Sequence, residues 1–135
     1  MKRYSIIVFL LGITLISAAQ SSQNTKRAPD VYFTNVAGDF GTVKEGEKPI
    51  VIFTFFNSGD APLLLKRVNP SCGCTVPEYP REPIMPGKSG EIRVAFDTKG
   101  YGNQKVHKSI SITTNIQEDG ADKVVIIYVK GQVTR

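Results

Sequence analysis

All eight prolines of the chain fall between Pro29 and Pro86. A proline inside a helix removes a backbone donor and clashes with the preceding turn, so this stretch has no room for a long helix. Beyond Pro86 the apolar residues recur every second position, not every 3.6. Glu91-Ile92-Arg93-Val94-Ala95-Phe96-Asp97 alternates polar and apolar, the period of a half-buried strand. In the next segment Val106, Ile110, Ile112 and Thr114 share one face, and Lys105, His107, Ser109, Ser111 and Thr113 share the other. The chain is therefore read as strands throughout.

Pro49 to Asn57 and Lys123 to Lys130 are apolar at odd and even positions alike, as expected of central strands covered on both faces. Ala61 to Val68 predicts another short strand. Val31 to Val36 with Phe40 to Val43 predicts a broken first one. The clusters Asn57-Ser58-Gly59-Asp60, Pro86-Gly87-Lys88-Ser89-Gly90, Lys99-Gly100-Tyr101-Gly102-Asn103 and Glu118-Asp119-Gly120 supply the turns between them. About seven short strands at this spacing predict an all-β fold, an immunoglobulin-like β-sandwich of Greek-key type, with a small barrel as the competing architecture. The expected core is Phe33, Phe40, Val51, Phe53, Phe55, Leu63, Leu65, Ile92, Val94, Phe96, Ile110, Ile112, Val125, Ile127 and Val129.

The first nineteen residues belong to a different pattern. Lys2 and Arg3 precede eleven largely apolar residues, Ile6 to Ile16, and Ser17-Ala18-Ala19 then places small residues at −3 and −1 of a cut after Ala19. This is the build of a secretory signal peptide over 1–19. A membrane anchor needs about 20 apolar residues to cross a core of roughly 30 Å, so none is expected after cleavage. Residues 20–29 are polar and aperiodic and are read as a flexible leader, with one domain over 30–135.

Cleavage takes 19 of the 135 residues and leaves 116, with 15 basic against 12 acidic residues, a net charge of +3. So small a charge on an exported chain argues against a nucleic-acid partner. The basic run from Lys99 to Lys108 is expected to be a solvated strand face. One His and two Cys exclude a closed four-ligand zinc site and a disulfide-dense scaffold.

One segment carries chemistry: Ser71-Cys72-Gly73-Cys74-Thr75, between a strand and the proline-rich loop from Pro77 to Pro86, at one end of the expected sandwich. On extended backbone the two thiols point the same way, with Cα atoms roughly 6.5–7 Å apart, the upper limit for a disulfide. Gly73 permits a bend that brings them closer. Four readings stay open. The pair is a disulfide, although a three-residue loop contributes only about 1.6 kcal/mol in the entropy model and a strained bridge is a labile one. It exchanges with other thiols, for which Lys66 and Arg67 are the nearest cations in sequence. It holds a soft metal, copper above all, with Met85 as a further candidate ligand and His107 discounted on its polar face. Or it packs a corner without chemistry.

The remaining motifs are weaker. A single His on a polar face cannot build a Ser/His/Asp set. Glu78 and Glu82 are expected surface charges, and Gly100-Tyr101-Gly102 lacks the spacing of a phosphate loop. No enzyme is predicted.

Phe40-Gly41-Thr42-Val43, then Phe53 to Gly59, then Ser71 to Thr75, Ile84-Met85-Pro86-Gly87, Phe96-Asp97-Thr98 and Ile110 to Asn115 occur in an order that resembles a family of bacterial envelope proteins. It is catalogued as domain of unknown function 1573, and the resemblance covers nearly the whole chain after the signal. It implies an immunoglobulin-like domain of the Hydin and major-sperm-protein group and a periplasmic or secreted location. It implies no reaction, and it leaves the role of the paired cysteines open. The expectation is an exported, non-enzymatic module that binds an envelope protein or serves structural assembly, with exposed edge strands as the means of attachment. The opposing expectation is a small periplasmic copper-binding or thiol-redox protein using Cys72 and Cys74.

Overall fold

A computed structural model describes residues 26–135. The signal segment 1–19 and the first part of the leader lie outside the described residues. Eight strands follow one another: β1 Val31–Phe33, β2 Ala37–Lys44, β3 Ile50–Asn57, β4 Leu65–Pro70, β5 Thr75–Glu78, β6 Ser89–Phe96, β7 Lys105–Glu118 and β8 Ala121–Thr134. They make two four-stranded sheets, ordered β1-β3-β6-β5 and β2-β8-β7-β4. This is the immunoglobulin-like sandwich that the alternation predicted, with eight strands where about seven were expected.

Two strands lie where the alternation placed none: β5, which runs into the expected proline-rich loop, and one at the start of the chain, which is not one broken strand. β1 pairs antiparallel with β3 in one sheet, and β2 pairs parallel with β8 in the other. The three residues between them carry the chain across the sandwich. The predicted strand over Ala61 to Val68 is displaced. Leu63 makes only an isolated bridge to Ile84, and β4 starts at Leu65.

The two inner faces meet in a core of Phe53, Phe55, Leu63, Ile92, Val94, Ile110, Ile112, Ile127 and Val129, all inaccessible to water. Burying each such side chain contributes about 1.5–3 kcal/mol. Phe33, Phe40 and Val125, expected in the core, are partly buried and pack against it. Val68 and Ile116 join it unforeseen. Phe96, Val106 and Val133 form a smaller cluster at the far end, where Phe40, Val43, Cys74 and Tyr101 pack on them.

β3 and β8 are central strands, but they are not covered on both faces. Ile50, Ile52 and Phe56 of β3, and Val124 and Ile126 of β8, face outward and are exposed. A two-layer sandwich has no third layer to cover them. The end of the leader is also not free. Ala28 N donates to Asp60 Oδ1 at 2.8 Å, and Asp60 N donates back to Ala28 O at 3.0 Å. Ser58 N donates to Asp30 O at 3.1 Å. The turn over residues 57–60 thus holds residues 28–30 against the domain.

Candidate functional site

β4 belongs to one sheet and β5 to the other, so residues 71–74 turn the corner between them. Backbone bonds fix this corner on both sides. Ser71 N donates to Ser109 O of β7 at 2.9 Å, Asp97 N donates to Cys74 O at 2.8 Å, and Thr75 N reaches back to Cys72 O at 3.4 Å. Gly73 takes the bend with open space around its Cα. The Cα atoms of Cys72 and Cys74 thereby approach to 5.3 Å, and the two residues form a disulfide. Of the four readings of this segment, the bridge is the one present.

Two hydroxyls converge on the bridge. Tyr101, on the loop between β6 and β7, donates its O–H to Cys74 Sγ at 3.3 Å. Thr75 Oγ1 lies 3.4 Å from Cys72 Sγ and 3.9 Å from Cys74 Sγ. A disulfide sulfur carries no proton, so the Thr75 hydroxyl is the donor in both contacts. Thr75 is only 2% exposed, and the sulfurs are its side chain's partners. Tyr101 meets Phe96 edge-on at 5.2 Å, and the Lys108 ammonium sits 5.4 Å from the Tyr101 ring centre. Both cysteines are half-buried. Cys74 packs into the small apolar cluster.

The other candidates do not join this corner. Met85 lies in the turn before β6, and its carbonyl accepts from Lys88 N. The cysteines lie beyond the other end of β6, where Thr75 is opposite Phe96. Eight residues at about 3.3 Å each separate the two ends by roughly 25 Å, so Met85 cannot share a metal with the pair. His107 points to the outer face of β7, away from Lys108, and stacks on Tyr128 at 5.1 Å. In the bridged form neither sulfur is a thiolate, so the pair as it stands is not a copper ligand set. Glu78 and Glu82 are exposed, and Lys66 and Arg67 lie on β4, with Lys66 engaged by Asp122 at 2.5 Å. Within 99–108, Lys105 and His107 are exposed and Lys108 half-buried. A shallow cleft of about 430 Å³ opens where β2 bulges away from β8, lined by groups of both signs including Asp39, Lys105 and Lys130.

A second feature is the edge of β8. β2 pairs only with its later half, from Tyr128 to Thr134. Tyr128 N donates to Val36 O at 2.7 Å, so even-numbered residues of β8 direct their backbone toward the β2 side. By the strand's period of two, Val124 and Ile126 do the same, before β2 begins. Their backbone groups point into an open edge, and their side chains are 53% and 45% exposed. The other edges are blunted. β1 has three residues, β5 has four including Pro77, β4 carries Lys66, Arg67 and Pro70, and β2 is interrupted by a bulge between Asp39 and Thr42.

Of the site residues, sequence reasoning found the cysteines and missed Thr75 and Tyr101. Thr75 adjoins Cys74 and was within reach. Tyr101 lies 27 positions away in a turn cluster, and nothing in the pattern tied it to the corner.

Two four-stranded sheets packed face to face, with β2 running parallel to β8 and no helix among the described residues, define an immunoglobulin-like β-sandwich. The family model of DUF1573, a protein of unknown function, matches residues 31–133, and the chain belongs to that family. Among solved structures it is similar to a protein of unknown function from Porphyromonas gingivalis W83, at 24% identity and a TM-score of 0.68. That match covers 84% of this chain and 51% of the other, so the chain spans about half the length of that protein. It is also similar to the seventh ASH/PapD-like domain of human CEP192, at 12% identity and a TM-score of 0.63, over 80% of this chain and 87% of that one. The periplasmic chaperone SfaE matches at 15% identity and a TM-score of 0.58, over 78% and 58% of the two chains. These likenesses show the fold. No curated protein matches the chain in sequence.

Proposed function

We propose that the chain is a non-enzymatic module that works outside the cytoplasm and binds a partner protein by taking an extended segment of it along the open half of β8. The observation that carries this reading is the unblunted edge at Val124 and Ile126, on a domain whose other edges are all blunted among the described residues. An added strand would satisfy the free backbone groups, each bond contributing about 0.5–1.5 kcal/mol net, and would cover two apolar side chains. The signal-like segment 1–19, the disulfide and the likeness to a periplasmic chaperone support a location outside the cytoplasm.

A photo-reactive residue placed at Ile126 in the living cell tests the binding mode. A discrete adduct is expected, and Val124→Pro, which removes an N–H from the open side without touching the ladder to β7, should abolish it. An adduct that survives Val124→Pro in a folded protein rules out strand addition. Amino-terminal sequencing of the protein recovered from cells tests export. A start at Gln20 agrees with it, and a retained Met1 in the cytosol does not.

A further inference from the structure

We propose that the Cys72–Cys74 bridge is a thiol-exchange site, with Cys72 Sγ as the sulfur attacked and Cys74 Sγ as the one released. Three observations carry this inference. The bridge closes a loop of three residues at a corner that backbone bonds to Ser109 and Asp97 already hold, so it adds little as a staple. It is half-exposed, with open space at Gly73, and Cys74 rather than Cys72 packs into the apolar cluster. Above all, two hydroxyl donors are aimed at sulfurs that accept hydrogen bonds weakly while they are bridged. One of those donors, Thr75, is buried and has no other partner for its side chain among the described residues. Once the bridge opens, Cys74 becomes a thiolate, and bonds to an ionised acceptor are about twice as strong as neutral ones. The donors are placed for the charge that develops, as in an oxyanion site. The Lys108 ammonium over the Tyr101 ring adds positive charge behind the phenol.

The reactant is an external dithiol. One of its sulfurs, as the thiolate, bonds to Cys72 Sγ while the Cys72–Cys74 bond breaks and its electron pair passes to Cys74 Sγ. Tyr101, at 3.3 Å, is the main donor to that thiolate, with Thr75 the longer contact at 3.9 Å, until it takes up a proton from water. The dithiol's second sulfur then displaces Cys72 from the mixed disulfide and gives up its proton to it. The dithiol is oxidised by two electrons and the pair is reduced by two. In reverse, the reduced pair would open a partner's disulfide.

The test equilibrates purified, oxidised protein with millimolar glutathione or dithiothreitol buffers and traps free thiols with a maleimide read by intact mass. Both cysteines are expected to label in the folded protein. Tyr101→Phe should slow opening by roughly tenfold, the weight of one hydrogen bond to a charged acceptor, and Thr75→Val by less, since its hydroxyl lies nearer Cys72 Sγ; the equilibrium, which ends on a protonated Cys74, should move little. Slower opening in Tyr101→Phe, with melting unaltered, supports the site. A bridge that stays closed in millimolar reduced glutathione, or two variants that both behave like the parent, overturns it.

Discussion

Asn57 sits at the end of β3 with 1% of its surface exposed, and it ties three segments together. Its Nδ2 donates to Ala61 O at 2.7 Å and to Ile84 O at 2.8 Å, and its Oδ1 accepts from Gly59 N at 3.0 Å. Asn57→Ala removes all three, together with a long 3.5 Å bond that Asp30 N donates to Oδ1. Ile84 O keeps a bond from Leu63 N at 2.8 Å, but Ala61 O and Gly59 N lose the partners they have. Leaving a buried polar group unpaired costs about 1–3 kcal/mol. Two such groups, each half-open to water, give a loss of about 3 kcal/mol. For a domain of this size that lowers the melting temperature by on the order of 12 °C. Urea titration of parent and variant reads the loss as a shift in midpoint at constant slope. Asn57→Asp sharpens the test, because its carboxylate would face two carbonyl oxygens that need a donor. Burial and those carbonyls raise its folded pKa, so stability should recover as pH falls through that raised value and the carboxyl becomes a donor. A loss below about 1 kcal/mol in Asn57→Ala, or no recovery of Asn57→Asp in acid, refutes the reasoning.

Replacing both Cys72 and Cys74 by Ser should leave the domain folded and lower its stability by no more than about 2 kcal/mol in urea, since a three-residue loop restrains the unfolded chain so little; a much larger loss would make the bridge structural. Asp122 is held below its usual value of 3.8, first by the hydrogen bond from Lys66, and Asp97 likewise, first by the backbone N–H of Lys99. A depressed carboxylate stabilises the fold above the unfolded pKa and ceases to do so as pH falls through the folded one. Asp122→Asn should therefore narrow the difference between urea midpoints at pH 7 and pH 3, and an unchanged difference would count against the pairing. Gly131→Ala would drive a methyl into the Phe40 ring, which stacks on Phe96 at 5.6 Å. Overpacking of this kind costs about 1–3 kcal/mol, measurable as a lower melting temperature.

Much of the sandwich was legible because its strands are strictly alternating. Ile92, Val94 and Phe96, and Val106, Ile110 and Ile112, face inward as their spacing requires. Alternation says nothing of which sheet a strand joins, so β1 and β2 could not be separated. It also says nothing of which backbone groups find a neighbouring strand, so nothing marked Val124 and Ile126 as an open edge. Buried polar residues escaped for the opposite reason. Asn57, Thr75, Thr98 and Thr114 belong to types that usually face water; backbone groups waiting for Asn57, Thr98 and Thr114 explain their place, and the two cysteine sulfurs explain that of Thr75. Thr98, for instance, accepts from Gly46 N at 2.8 Å and donates to Glu47 O. The cysteine pair was visible, but its pairing depended on how far Gly73 bends, which spacing alone does not determine.

The parallel pairing of β2 with β8 bears on how the domain comes into being. Ala37 meets Tyr128 and Lys44 meets Thr134. About 90 residues of synthesis separate these partners, or roughly 5–20 seconds at ordinary ribosomal rates. Through that interval β2 has no neighbour, and Val133, which closes the small cluster with Phe96 and Val106, has not been made. The second sheet can close only around a finished β8. The domain therefore folds after its own synthesis, in the order the topology imposes, and a nascent chain halted within β8 would present unpaired strands to whatever chaperone or channel receives it.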